Sequence, residues 1–254
     1  MNVKQEKTYQ LLLEFIEICN KNNLKYSLFF GSLLGAIRHS GFIPWDDDLD
    51  IVVPLETYEF LIKNHSNMFL HNQNSNNFLL FGKFTKDRED DPRSTFIDIF
   101  VVVKTNKQKL KKYSSLYNKV RYMHNYTHRK VFKRQWGMKL LKFFFAWTWL
   151  FKKISFNEMY SLLDDTNGEL NHVISWPFKS QIKTGTYQNI DFDNLVQVDF
   201  ENTKVNVFAN YEDILITSYG KNWKKPVKTL ISKHLGMYDM DIFTFKEKGI
   251  ENEK

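Results

Sequence analysis

Apolar positions recur along the chain in two rhythms. Over residues 4–24, Leu12, Leu13, Phe15, Ile16 and Cys19 fall at helical spacing, which predicts an amphipathic helix. "YSLFF" (26–30) is a short continuous apolar run and reads as a buried strand. Ser32 then opens a short helix over 33–38, and Gly41 and Pro44 mark the loop behind it. "DLDIVVP" (48–54) reads as a strand ended by Pro54, which has no N–H for the ladder. "TYEFLIKNHSNMF" (57–69) is the next helix, and "HNQNSNNF" (71–78) is a polar loop. "FLLFGKF" (78–84) and "FIDIFVVVK" (96–104) are two further strands.

From 107 to about 151 the pattern is helical, with Trp136-Gly137 as a break. "YSLLDDTNGEL" (160–170) predicts another helix, then a strand-and-turn stretch. "YEDILITSYGKNWKKP" (211–226) predicts a helix, a Tyr-Gly turn and a Pro stop. Strands and helices alternate early and helices dominate late. The expected class is therefore α+β (mixed α/β), with a small mixed sheet flanked by helices and a mainly helical second half. A chain of 254 residues can bury a real core as one large domain, or as a domain with an appendage.

One stretch departs from the rule that like charges spread out in solvent. "GSLLGAIRHSGFIPWDDDLDIVVP" (31–54) sets Asp46, Asp47, Asp48 and Asp50 directly before Ile51, Val52 and Val53. A strand, then Gly31-Ser32, then a helix is one way to build a phosphate site. The glycine allows close backbone approach, and the helix start offers free N–H groups. By itself such a pair is a common turn. The carboxylates add to it: Asp48 and Asp50 sit two apart on a predicted strand, so both leave the same face. Two such groups repel and call for a cation, and Mg²⁺ takes one or two carboxylates with substrate phosphate oxygens. Asp98 stands mid-strand among Phe96, Ile97, Ile99 and Phe100, where an unpartnered carboxylate is costly. If that strand lies beside "DLDIVVP", Asp98 completes a three-carboxylate metal site. The bland alternative is a solvated acidic turn plus an edge-strand Asp. The combination favours a site where cations clamp the attacking and leaving oxygens of a phosphoryl or nucleotidyl transfer.

Gly-Ser, Asp-x-Asp and a later Asp resemble the signature of the nucleotidyltransferase superfamily. The stretch 31–54 is similar, almost residue for residue, to the hallmark of the LicD family of phosphocholine transferases. The fukutin-related ribitol-phosphate transferases are its distant relatives. "FGKFTKDREDDPRSTFIDIF" (81–100) resembles the family's second block, with Val101 to Val103 where Pro and Asp are frequent. "VFANYEDILITSYGKNWKKP" (207–226) resembles its C-terminal block, with Lys221 where Asp is commoner.

The resemblance implies a nucleotidyltransferase-like fold and a Mg²⁺-dependent reaction, with Mn²⁺ as a substitute. Phosphocholine, or a similar alcohol phosphate, would pass from a CDP-linked donor such as CDP-choline to a hydroxyl of a cell-envelope glycan, releasing CMP. Lipid-linked glycans are among the candidate acceptors. The rivals are a nucleotidyltransferase acting on a small molecule or nucleic acid, and a binding protein that kept the fold without the activity. Asp48, Asp50 and Asp98 match the metal-binding, catalytic positions. Asp46 matches a further acidic position that would ligate directly or through water, and Asp98 is also a candidate base for the acceptor hydroxyl. Gly31, Ser32 and the N–H groups after them would hold donor phosphate. Arg38 and His39 match the motif's basic pair; Arg suits bidentate phosphate contact, while His39 reads equally as loop packing. Lys83 and Arg88 are candidate phosphate ligands beside the plainer reading of surface charge. Phe42 and Trp45 read as core supports. The implied division is a catalytic core over 1–104, a basic helical insertion over 105–170, and 171–254 completing the same fold.

Charge adds a second feature. The formal net charge is +7, yet residues 104–153 hold fifteen Lys/Arg and no Asp or Glu, so the remainder is net acidic. "HRKVFKRQWGMKLLKFFFAWTWLFKK" (128–153) joins these cations to Trp and Phe. Three readings stay open: a helix lying on an anionic membrane surface, a helix packing on the core or a second subunit, or a polyanion surface. Nucleic acid is not the expected partner.

"FFFAWTWLF" (143–151) is about half the length a bilayer-spanning helix needs, which argues against a transmembrane protein. The first fifteen residues are too polar and too acidic for a secretory signal. Apolar residues at 43% and aromatics at 16% exclude a disordered chain. The single cysteine, Cys19, rules out an internal disulfide and the cysteine-based zinc element of the eukaryotic relatives. It fits a reducing compartment, the cytosol.

Overall fold

The computed structural model describes residues 1–46, 48–89, 94–129 and 136–226. Helix α1 (Val3–Lys21) opens with a capping box: the Asn2 side chain accepts from the Gln5 N–H and the Gln5 side chain accepts from the Asn2 N–H, each at 2.8 Å. Its buried stripe includes Leu12 and Phe15, and Phe15 meets Phe84 edge-on at 5.5 Å. The elements that follow are β1 (Ser27–Leu28), α2 (Phe30–His39), β2 (Leu49–Val53), α3 (Leu55–Asn64), β3 (Phe69–Leu70), β4 (Gly82–Phe84) and β5 (Ile97–Thr105). Next come α4 (Lys107–Tyr113), α5 (Leu116–Thr127), α6 (Trp136–Phe144), a 3-10 turn (Ala146–Leu150) and α7 (Phe156–Leu163). The described part closes with β6 (Leu170–Val173), α8 (Lys179–Thr184), β7 (Thr186–Tyr187), β8 (Leu195–Phe200), β9 (Thr203–Phe208) and α9 (Tyr211–Tyr219).

The fold is mixed α+β. The main sheet runs β1-β2-β5-β4-β3, with β2 and β5 parallel and the other neighbours antiparallel. The later half of β5 carries β6, which carries β7. Parallel strands are covered on both faces, and β2 reads accordingly: Leu49, Ile51, Val52 and Val53 are all fully buried. The β8–β9 ribbon lies against β1 and α2, and α9 lies against α2.

Several elements differ from the sequence pattern, each for a local reason. "YSLFF" supplies only two strand residues, because Phe30 already starts α2. The helix expected through Phe69 stops at Asn64, and Phe69–Leu70 pairs with β4 instead. The helix expected over 160–170 ends at Leu163, since Leu170–Val173 satisfies its backbone on β5. Gly168 makes that turn close: a Cβ there would stand 2.3 Å from the Thr105 carbonyl oxygen. The second half thus adds four strands to its helices. Trp136 opens α6 and does not break a helix, and residues 130–135 lie outside the described residues.

Candidate active site

Three neighbouring strands line up three charged side chains. Lys83 on β4 is the register partner of Asp98 on β5, and Asp98 is the partner of Asp50 on β2. Paired positions point to the same face of a sheet, so the row follows from the pairing itself. The strand adjacency expected from the sequence is therefore present. Lys83 Nζ donates to Asp98 Oδ1 at 2.5 Å; the two side chains are 3% and 14% exposed. The ammonium also stands 3.8 Å from the centre of the Phe96 ring.

Asp48 lies one residue before β2, and Asp46 belongs to the loop ahead of it. That loop is tied down from two sides. Gln5 Nε2 donates to the Asp46 carbonyl at 2.8 Å and to that of Ile43 at 3.3 Å. At the β8–β9 turn, Glu201 accepts from the Phe42 N–H at 3.0 Å and donates its own N–H to Ser40 O at 2.7 Å. A Cβ at Gly41 would stand 2.3 Å from Glu201 Oε1, so a larger residue here would displace that side chain from the Phe42 N–H.

The start of α2 faces these carboxylates. Phe30 takes φ 42°, a left-handed value unusual for a bulky residue, and its ring packs edge-on against Phe29 and Phe100. The sharp turn aims the helix start at β2. Ser32 does not cap the helix as expected; Phe29 holds that position, and Ser32 Oγ accepts from the Asp50 N–H at 2.8 Å. A Cβ added at Gly31 would lie 3.2 Å from Asp46 Oδ2 and 3.9 Å from Asp50 Oδ2, so both carboxyls converge on this glycine. A helix start is where unpaired N–H groups and the positive dipole end favour negative charge.

Asp50 as a whole residue is half-buried, but its carboxyl lies deep. Burial first, then the like charges of Asp48, Asp98 and Asp46, raise its pKa well above the ordinary carboxylate value, with Lys83 opposing. A half-buried group of carboxylates in which one member resists ionising is short of positive charge. Its oxygen-only donors suit a hard divalent cation. Asp98 is already shared with Lys83. Among the described residues no three carboxyl, imidazole or thiol groups are already closed into a metal cage.

The sequence reading missed Tyr219, at the end of α9. The residue is 44% exposed, yet its hydroxyl is deep. Burial, then Asp50, Tyr187, Asp46 and Asp48, push its pKa up, so the phenol stays protonated and able to donate. Tyr187 Oη and Ser218 Oγ lie 2.9 Å apart, and Arg38 Nη1 donates to the Trp223 carbonyl at 3.3 Å. The block 218–223 thereby closes over α2. In the sequence "SYG" reads as a turn, and no periodicity marks its tyrosine.

Residues 23–146 match the family described as LicD/FKTN/FKRP, nucleotidyltransferase domain, over just under half of the chain. The chain carries a LicD-family domain. Lipopolysaccharide cholinephosphotransferase LicD of Haemophilus influenzae is 49% identical over 45 residues, 18% of this chain and 17% of that protein. An uncharacterized protein of Rickettsia prowazekii is 58% identical over 43 residues, 17% of this chain and 16% of that protein. One of Rickettsia typhi shares the same identity over the same length, 14% of that protein. The aligned stretch thus spans about a sixth of these relatives' own length.

The LicD-domain match takes in every element from β1 to α6, and with them Gly31, Ser32, Asp46, Asp48, Asp50 and Asp98. Asp47 lies outside the described residues. Arg38 and His39 sit at the other end of α2 from Gly31. Arg38 Nε donates to His39 Nε2 at 3.0 Å, which requires a neutral ring, and burial, then Arg38, lower the His39 pKa. Lys83 is placed on Asp98, and Arg88 is exposed in the loop after β4. Phe42 is buried against Phe200 at 5.1 Å, and Trp45 is partly buried on the core, as expected of supports. No helix among the described residues is long and apolar enough to cross a membrane.

Proposed function

We propose that this LicD-family chain transfers phosphocholine, or a similar alcohol phosphate, from a CDP-linked donor to a hydroxyl of a cell-envelope glycan, in the cytosol. Mg²⁺, with Mn²⁺ as a substitute, would be held by Asp46, Asp48, Asp50 and Asp98. The observation that carries this reading is the in-register pair Asp50 and Asp98 on parallel strands, beside the start of α2. The similarity to the lipopolysaccharide cholinephosphotransferase of Haemophilus influenzae supports choline phosphate as the group and a glycan as the acceptor.

A bound cation supplies neutralising charge for the diphosphate and its leaving oxygen. The chain's own groups do the rest. Gly31 leaves room for phosphate oxygens to reach the N–H groups of α2, and Ser32 fixes Asp50 through its backbone. The Tyr219 phenol, near enough to Asp50, Asp46 and Asp48 to feel their charge, offers a protonated donor beside them. Asp98, positioned by Lys83, takes the proton of the acceptor hydroxyl. The acceptor oxygen then bonds to the phosphorus that bears choline, the bond from that phosphorus to the CMP oxygen breaks, and CMP leaves. Cys19 plays no part, because burial pushes its thiol up to about 12.

The test incubates the protein with CDP-choline, Mg²⁺ and an envelope glycan, with CDP-ribitol, CDP-glycerol and CDP-ethanolamine in parallel. Equal amounts of CMP and of choline phosphate on the glycan are expected for the preferred donor. Incorporation of the nucleotide into the acceptor would instead identify a nucleotidyltransferase.

A further inference from the structure

Polarity is inverted around the 3-10 turn. Facing inward are polar groups: Arg121, Asn125 and Thr148 are buried. Arg121 pairs with Glu158 and donates to the carbonyls of Lys152 at 2.7 Å and Lys153 at 3.0 Å. Asn125 exchanges two hydrogen bonds with the Ile154 backbone, and Thr148 Oγ1 donates to the Phe145 carbonyl at 2.7 Å. Facing outward are large apolar groups. Phe143 is 76% exposed, Phe144 67%, Trp149 67% and Leu150 68%, with Leu140 and Trp147 near half.

These six side chains fall within eleven consecutive residues, and the clamp from α5 fixes the chain just behind them. A soluble surface rarely gathers so much apolar area without a partner. The cations are arranged around the same ridge. Lys139, Lys152 and Lys153 are exposed, and Lys142 is half-exposed. Lys142 lies close enough to Arg129 and Lys153 for their charges, added to burial, to lower its pKa. The Glu158 beside Arg121 belongs to α7; the stretch 104–153 itself supplies no carboxylate. Aromatic tips bordered by lysines are the pattern of an element that lies in a lipid headgroup layer.

We propose that the ridge formed by Leu140, Phe143, Phe144, Trp147, Trp149 and Leu150, bordered by Lys139, Lys142, Lys152 and Lys153, docks the protein onto an anionic phospholipid bilayer. The charge complementarity selects an acidic surface, and the exposed Phe and Trp side chains enter its headgroup region. The element lies on the bilayer and does not cross it. This inference does not rest on the proposed transfer reaction, since the ridge carries none of the catalytic carboxylates.

The experiment sediments purified full-length protein with vesicles of phosphatidylcholine alone and of phosphatidylcholine with phosphatidylglycerol. Quenching of tryptophan fluorescence by brominated lipid reports insertion. Binding is expected only with phosphatidylglycerol, with quenching. F143S/W149S should weaken it about tenfold or more, and K142E/K153E should weaken it and flatten its salt dependence. Both variants should keep the wild-type melting temperature. The proposal is overturned if wild type stays in the supernatant with acidic vesicles, or if F143S/W149S binds as wild type does. It is equally overturned if wild type is a dimer that F143S/W149S dissociates while neither form binds vesicles.

Discussion

Replacing Asp50 with Asn should stabilise the metal-free protein while destroying turnover. The hydrogen bonds that tie Asp50 to its neighbours run through its backbone. Its N–H donates to Ser32 Oγ at 2.8 Å, and its carbonyl accepts from the Phe29 N–H at 2.9 Å. An amide side chain of the same shape leaves both intact, so the change is one of charge. Neighbouring strands stand about 5 Å apart, and one pair of carboxylates at that distance costs ~3 kcal/mol at an effective dielectric of about 20. Lys83 offsets part of this, and partial protonation of Asp50 limits the rest. A net gain of ~1–2 kcal/mol remains, or about 2–8 °C in melting temperature for a chain of this size.

The pH dependence has a definite sign. The Asp50 pKa is raised in the folded state, so its support of the fold is present at low pH and is lost as pH rises through that value. The advantage of D50N should therefore widen towards about pH 8, where carboxylates are ordinarily ionised. Thermal melts followed by circular dichroism, in chelator and then in excess Mg²⁺, measure it. Mg²⁺ should raise the melting temperature of wild type and close the gap, because binding to the native state alone stabilises it. The reasoning is refuted if D50N melts at or below wild type in chelator, or if Mg²⁺ shifts both proteins equally.

Removing the counter-ion should do the reverse. Lys83→Met takes the ammonium away from Asp98 in a site where both are nearly buried, and should cost ~3–5 kcal/mol in urea unfolding. K83M/D98N should recover much of that loss, and purely additive effects would contradict the pairing. His172 is fully buried, its Nδ1 lies 2.9 Å from Thr186 Oγ1, and burial depresses its pKa to about 4. Its folded value lies below its unfolded one, so stability present above about pH 6.5 is lost as pH falls towards 4, by about 3 kcal/mol. Unfolding free energies across that range should show this slope, and His172→Leu should remove it. Gly35→Ala places a Cβ 2.5 Å from the Gly41 carbonyl oxygen and should destabilise by ~1–3 kcal/mol; a neutral result would mean the loop yields freely.

What could be read in the sequence depended on how local its cause was. Asp48, Asp50 and Asp98 stood out because charge beside or inside an apolar strand is expensive, and β2 and β5 do lie together. Helix α1 was legible from its stripe alone. Phe69–Leu70 and Leu170–Val173 were not, because each becomes a strand only through a partner remote in sequence. Lys83 read as a candidate phosphate ligand or as surface charge, and only the β4–β5 register shows that it answers Asp98. Tyr219, Gln5 and Glu201 act on the site across long sequence separations, which no spacing rule records. The exposure of Phe143 and Trp149 was also hidden, since an apolar helix reads alike whether it faces core or solvent.

The central claim is that the carboxylates around the start of α2 grip a divalent cation. Electron paramagnetic resonance of free Mn²⁺, titrated with the protein, tests it without any assumption about donor or acceptor. Wild type should remove Mn²⁺ from solution and release it to excess Mg²⁺, while D48N/D98N, folded by circular dichroism, should leave the free-ion signal intact. Equal depletion of that signal by wild type and D48N/D98N would contradict the account.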